Sequence, residues 1–167
     1  IEFGTTHANI HQIPVKKTLY QDSLWLSPKT ETEETLIENI LKLNRHSENL
    51  SILHLDFHPL NVLTDGETIT SVIDWANASV GDIRFDIART ISILQLEGNR
   101  IGSPFENYPD ILSEFEKGWI KGYEQIAGNQ IDLEIFYKWA GYRMLRDLTG
   151  KRTENELKIV QEWANKW

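Results

Sequence analysis

Three polar side chains stand at fixed spacing in the stretch "HLDFHPLN": His54, Asp56 and Asn61, with His58 between the last two. Thirteen residues after Asn61 comes Asp74, in "VIDW". An aspartate such as Asp56 can take the proton from an attacking hydroxyl. The amide oxygen of Asn61 and the carboxylate of Asp74 are hard donors, suited to Mg²⁺ rather than to a soft metal. Two protein ligands completed by waters and substrate phosphates is the usual Mg²⁺ arrangement. A base, a metal clamp and a positioned hydroxyl are the parts of a phosphoryl-transfer site. The plainer reading is a turn before a strand, since Asp and Asn are common turn formers. A lone histidine is more often packed than catalytic. The ordered set of His54, Asp56 and Asn61, followed by Asp74, favours the chemical reading.

For Asn61 and Asp74 to meet, the chain between them must double back. "NVLTDGETITSVIDW" supplies the means: an apolar run, the Asp65-Gly66 turn, then a second run with Ile69, Val72 and Ile73. Asp-Gly between two such runs signals a β-hairpin, expected here over about 62–74. Its entrance carries 54–61 and its exit carries Asp74. Around it the chain reads as helical. A weak helix covers 1–12, with Ile1, Phe3, Ala8 and Ile10 on one face, and "IPV" at 13–15 stops it. A second helix begins at Thr30, which has capping-box spacing to Glu33, and carries Leu36, Ile37, Ile40, Leu41 and Leu43 as its apolar stripe before "NRHSEN" ends it. "DIRFDIARTISILQLE" reads as one amphipathic helix. Three more are expected at about 110–127, 132–149 and 153–166, with Asp132 and Thr153 as N-caps and breaks at Gly128-Asn129 and Gly150. The fold class is α+β and mainly α-helical, with residues 1–167 as one lobe: a small hairpin, then a helical bundle over 82–167.

Composition narrows the partners. The 167 residues carry a net charge of −8, which argues against nucleic acid because phosphate backbones need a basic face. Acidic balance suits a cationic ligand, and it is also a common route to solubility. The absence of cysteine excludes disulfides, thiolate metal sites and thiol nucleophiles. No apolar run approaches the roughly 18 residues that suggest a membrane span. The N-terminus lacks the basic and apolar blocks of a signal peptide, so the cytoplasm is the expected location.

The same residues match a family. "HLDFHPLN" followed by "VIDW" resembles the catalytic loop and metal-binding aspartate of the protein-kinase-like fold, in the form found in the aminoglycoside phosphotransferase and choline kinase group. "VGDIRFDIART" resembles that group's next element, with Ile83 in place of its proline. "HANIHQIPV" resembles the helix that opens its C-terminal lobe. The resemblance implies that Asp56 is the catalytic base and that Asn61 and Asp74 hold Mg²⁺ on the phosphates of ATP or GTP. His58 would contact the transferred phosphate or brace the loop. His54 would pack under the loop, Asp82 would cap the following helix, and Asp86 would bond backbone N–H groups of the loop. Trp75 is expected to pack rather than to carry substrate. Leu55 stands where protein kinases have an arginine that reads a phosphorylated loop, which points to a small-molecule kinase.

A complete enzyme of this group also has an N-terminal nucleotide-binding lobe. The sequence shows no G-x-G-x-x-G and no strand-borne lysine before residue 54, and it lacks an initiator Met. The expectation is therefore the C-terminal lobe of a longer enzyme that transfers a γ-phosphate to a substrate hydroxyl. The isolated lobe should be inactive and liable to self-association through its exposed cleft. Glu97, Glu106, Asp110, Glu114 and Asp147 are candidates to receive a cationic acceptor. A catalytically silent binding module and a metal-dependent hydrolase are the alternatives. The hydrolase would need a second carboxylate cluster for a two-metal site.

Overall fold

The computed structural model describes residues 1–15, 26–43, 50–98, 100, 102–103, 105–128 and 132–167. The expected helix stop at "NRHSEN" and the Asn129 break lie outside the described residues.

Among the described residues, six α-helices and two small antiparallel sheets follow one another: α1 (Glu2–His11), α2 (Glu31–Leu43), β1 (Ser51–Leu53), β2 (Val62–Thr64), β3 (Ile69–Val72), β4 (Ser79–Gly81), α3 (Ile83–Ser92), α4 (Pro109–Ala127), α5 (Glu134–Leu148) and α6 (Glu154–Ala164). The expected hairpin is present: β2 pairs with β3, Val62 opposite Val72, and the ladder is irregular at Leu63/Thr64. Asp65 builds the turn by accepting from the N–H groups of Glu67 and Thr68, and Gly66 takes a φ of 99°. A second pairing was not expected. β1 pairs with β4, Ser51 opposite Gly81, and so ties the strand that enters the polar loop to the strand that leads into α3.

α3 is the central helix. Every residue from Phe85 to Ser92 is buried, and its two sides serve two cores. Ile87 and Ile91 join Phe3, Phe57 and Trp119. Phe85 and Ala88 join Ile40, Leu53, Leu55, Phe136 and Trp139. α1 lies across α4 so closely that a Cβ on Gly4 would stand 1.9 Å from the Trp119 carbonyl oxygen. α6 lies against α5 in the same way, with Gly141 facing Ala164.

The caps and faces refine the expectations in detail. Thr153 makes the full capping box with Glu156. Thr30 accepts from the Glu33 N–H at 3.2 Å. Asp132 accepts from Glu134 N–H at 3.3 Å, but α5 begins only at Glu134, with Leu133 in the cap position. In α2 the buried stripe is Leu36, Ile37 and Ile40, whereas Leu41 and Leu43 are exposed because a 3.6-residue period turns them away from α5. In α1, Ile1 is exposed, and two histidines, His7 and His11, share the buried face. The long helix expected from "DIRFDIARTISILQLE" is α only as far as Ser92. Residues Ile93–Glu97 form a π-helical turn, closed by Gly98 N–H on the Ile93 carbonyl. No helix among the described residues is long and apolar enough to cross a membrane.

Candidate phosphotransfer site

The alternation Leu55-Asp56-Phe57 presents the aspartate. Leu55 is buried in one core and Phe57 in the other, and Asp56 between them remains partly exposed. The turn that achieves this has a cost. Leu55 has φ of 60°, a left-handed conformation that disfavours a residue with a Cβ by about 1–2 kcal/mol. Asp86 offsets it. Its Oδ2 accepts from His54 N–H at 2.6 Å and its Oδ1 from Leu55 N–H at 2.8 Å, so one carboxylate grips two consecutive amides of the strained turn.

Asp86 is itself fully buried and ringed by donors. His11 Nε2 lies 3.1 Å from its Oδ2, and His7 Nε2 lies 3.3 Å away. Since an ionised carboxylate only accepts, His11 donates through Nε2, and its Nδ1 lies 2.6 Å from the Tyr123 hydroxyl. Burial works against the charge on Asp86, but the two histidines and their hydrogen bonds outweigh it and hold the carboxyl far below the usual range. Burial is also the main reason that His7 is pushed down to about 4, with the His11 charge adding to it. Tyr123 is pushed up, chiefly by burial and then by the Asp86 charge.

At the mouth, Asn61 binds the loop together. It sits in the short 3₁₀ turn Pro59–Asn61, and its Nδ2 lies 3.0 Å from the Asp56 carbonyl oxygen, 3.3 Å from Asp56 Oδ2 and 3.2 Å from His58 Nε2. With the amide nitrogen so engaged, Oδ1 is the atom left for a cation. Backbone bonds bring Asp74 alongside. Ile73 N–H donates to the Asn61 carbonyl at 2.9 Å, and His54 Nε2–H donates to the Ile73 carbonyl at 3.0 Å. Asp74 is exposed and left-handed, with φ of 59°. A strained, solvent-facing carboxylate fixed through the residue before it is the kind of outlier that marks functional positions. The chemistry of the donor set fits Mg²⁺, since an amide oxygen and a carboxylate are hard donors.

The structure brings His58 to 3.7 Å from Asp56 Oδ1, within the loop itself. Burial raises the Asp56 carboxyl, but His58, then Arg89 and His54, outweigh it and leave it below its ordinary value. Asp82 caps α3 by accepting from Arg84 N–H at 2.9 Å and pairs with the Arg84 guanidinium at 2.7 Å. His54 is buried under the loop and lies against Trp75, 4.6 Å between rings. Trp75 is 40% exposed, and its indole N–H donates to the Val72 carbonyl at 2.9 Å.

Beside Asp56 and His58 opens a cavity of about 270 Å³, walled by Leu94, Phe105, Leu112 and Met144 among others. Glu97 and Asp147 line it, but neither is free to receive a cation. Asp147 is shared by Arg89 at 2.7 Å and Arg143 at 3.1 Å. Glu97 is shared by Arg100 at 3.2 Å and Arg152 at 2.8 Å. The other acidic candidates stand away from this cavity: Glu106 accepts from Gly102 N–H, Glu114 pairs with Lys117, and Asp110 lies in the first turn of α4. Four ion pairs, two of them local (Glu97–Arg100 and Arg143–Asp147) and two long-range (Arg89–Asp147 and Arg152–Glu97), thus engage the two acidic candidates at this cavity. A larger cavity of about 720 Å³ between α2 and α5 shares no residue with the polar loop.

Comparison with known proteins defines the class and then the family. The fold is that of a crystal structure of a "putative aminoglycoside phosphotransferase" from Ralstonia eutropha JMP134, with a TM-score of 0.54 at 15% identity, covering 98% of this chain and 61% of that one. Residues 2–128 match the model of the phosphotransferase enzyme family, and the chain belongs to that family. A segment of 37 residues is 49% identical to hygromycin-B 4-O-kinase of Escherichia coli, covering 22% of this chain and 11% of that enzyme. The chain thus spans under two-thirds of the length of each of these relatives.

Proposed function

We propose that this chain is the catalytic and acceptor-binding lobe, of the protein-kinase-like type, of an enzyme that transfers the γ-phosphate of ATP or GTP to a hydroxyl of a small molecule. The observation that carries the reading is the hydrogen-bonded unit at the mouth, in which Asn61 holds Asp56 at 3.3 Å and the Ile73 N–H holds Asn61, with Asp74 next in the chain. Asp56 accepts the hydroxyl proton and orients that oxygen for in-line attack. Its lowered carboxyl keeps it ionised at neutral pH, ready to accept. Asn61 Oδ1 and the Asp74 carboxylate would hold Mg²⁺, which would supply charge neutralisation on the nucleotide phosphates. His58 braces the loop through Asn61 rather than touching phosphate, and His54 supports the strand that ends at Asp74.

The nucleotide needs a second wall, because the sequence supplies no glycine-rich phosphate loop. A separate nucleotide-binding lobe provides it, and these 167 residues alone do not turn over. Leu60, Leu63, Ile73 and Trp75, exposed around the hairpin, form the apolar face that lobe would cover, and uncovered they favour self-association. The test is label transfer from γ-labelled ATP and GTP to a panel of alcohols, by the protein with and without a nucleotide-binding lobe. Labelled alcohol only with that lobe present supports the reading. Free phosphate alone, with no labelled alcohol, would make the protein a hydrolase.

A further inference from the structure

The hub beneath the polar loop contains one side chain whose bonding is incomplete. His7 is fully buried, yet neither of its ring nitrogens has a hydrogen-bond partner among the described residues. Its Nε2 lies 3.3 Å from Asp86 Oδ2, near that oxygen but outside hydrogen-bond geometry. A buried polar group without a partner carries the full cost of its desolvation, so a ring kept in that state calls for an explanation. Its surroundings are aromatic: it stacks on Phe57 at 4.1 Å between ring centroids, with Trp119 at 5.9 Å. The phosphotransfer reading uses Asp86 to hold the loop and makes no use of His7.

The geometry around that ring is that of a ligand set. His7 and His11 stand four residues apart on α1, a spacing that puts both on one face of a helix, and α3 supplies Asp86. One donor atom from each of the three lies within 4.8 Å of the others, and all three residues are buried. His11 Nε2 lies 3.1 Å from Asp86 Oδ2, and His7 Nε2 lies 3.3 Å from the same atom. Two ligands on one tetrahedral ion, with bonds of about 2.0–2.1 Å, stand roughly 3.3 Å apart, so both spacings suit ligands of a single ion. A supporting contact is in place as well. With Nε2 on a metal, His11 carries its proton on Nδ1, and the Tyr123 hydroxyl oxygen, 2.6 Å away, accepts it. Metal-ligating histidines are held by such a bond from their other nitrogen.

We propose that His7, His11 and Asp86 form a second metal site, separate from Asn61 and Asp74, which takes a divalent transition metal of the Zn²⁺ kind. Imidazole suits Zn²⁺, whereas Mg²⁺ and Ca²⁺ take oxygen donors. Complete burial favours four-coordinate Zn²⁺ over Fe²⁺, which on two histidines and one carboxylate keeps further positions open. Three protein donors leave one position for a water. Asp86 Oδ1 keeps its bond from Leu55 N–H, and Oδ2 keeps the one from His54 N–H while giving its other lone pair to the metal. The His11 proton moves from Nε2 to Nδ1, so no proton is lost. The ion joins α1 to α3 through the carboxylate that grips the loop, and so steadies the loop below Asp56 without touching substrate. This inference does not depend on the phosphotransfer reading.

The test is calorimetric titration of the untagged, chelator-treated protein with Zn²⁺, in an excess of Mg²⁺ that competes for oxygen donors such as Asn61 and Asp74. One Zn²⁺ per chain should bind. His7→Asn and His11→Asn should each weaken it at least about tenfold, and Asp74→Asn should leave it unchanged. Ring ¹⁵N spectra of the wild type decide the matter even if a histidine variant fails to fold. On loading, Nε2 of His7 and of His11 should shift, and His58 at the mouth should not. No binding of Zn²⁺, a loss in only one of the two histidine variants, weaker binding by Asp74→Asn, or a shift of His58 in place of His7 and His11 would overturn the proposal. Label transfer on the same samples separates the two readings. Zn²⁺ bound at His7 and His11 without phosphate transfer keeps the proposal and removes the kinase reading, and transfer without Zn²⁺ binding does the reverse.

Discussion

Asp86 and Asp74 are the same side chain in opposite settings. Asp86 is fully buried, and its oxygens accept from two backbone amides and His11, with His7 Nε2 3.3 Å away. Asp74 is exposed, and its position is set by backbone bonds to the residue before it. Each lies close to a residue in the left-handed region, Leu55 and Asp74 itself. In the interior a carboxylate is held because the loop depends on it. At the mouth a carboxylate is held with its oxygens open, which suits a cation. The contrast separates groups that shape the site from groups that would work in it, although all are acidic residues within 31 positions of one another.

The comparison can be broken most forcefully at Asp86. Asp86→Ala leaves the His54 and Leu55 amides without their acceptor and the histidines without their partner. It should cost about 3–5 kcal/mol, in the range for removing one partner of a buried charged cluster. Urea denaturation measures it, and a loss below about 1 kcal/mol would mean that the hub does not hold the turn. Its titration gives the next largest effect. His7 falls to about 4 when folded, against 6.5 as its ordinary value. Between those pH values the unfolded chain binds more protons than the folded one, so stability rises with pH through this window. The contribution is complete above about 6.5 and is lost as pH falls toward 4, by about 3 kcal/mol. His7→Phe should flatten that part of the stability profile, and an unchanged slope would remove His7 from the account. Asp74→Asn should have the smallest effect on stability, within about 0.5 kcal/mol, since the group is exposed and Asn also tolerates the left-handed region. It should nonetheless weaken Mg²⁺ binding, read by titration calorimetry. A large loss of stability would show that Asp74 is structural, like Asp86.

How much of this was legible beforehand follows the range of the interactions. The hairpin was legible because Asp65-Gly66 is a local signal, and its pairing places Asp74 near Asn61. The role of Asp86 on the loop amides came from family resemblance, not from spacing. The histidine hub was missed because His11 and Asp86 are 75 residues apart and His7 reads as one more residue on a weak helical face. β4 was missed because three residues of strand, Ser79–Gly81, give too short a pattern to register. The π turn was missed because Ile93-Leu94-Gln95-Leu96 continues a helical period, and only Gly98 hints at a change. Of the ion pairs on Glu97 and Asp147, those to Arg100 and Arg143 have local spacing, whereas Arg89–Asp147 and Glu97–Arg152 are 58 and 55 residues apart, a range that leaves no local trace.

The central claim is that Asp56 serves as the base of a phosphotransfer site whose loop Asp86 holds in place. The most direct measurement is label transfer from γ-labelled nucleotide to an alcohol acceptor by the protein with its nucleotide-binding lobe, wild type against Asp56→Asn, with nucleotide affinity followed in parallel. The account predicts a drop of about 10²–10⁴-fold in transfer, the range for loss of a general base, with nucleotide affinity nearly unchanged. Transfer by Asp56→Asn at close to the wild-type rate would contradict it.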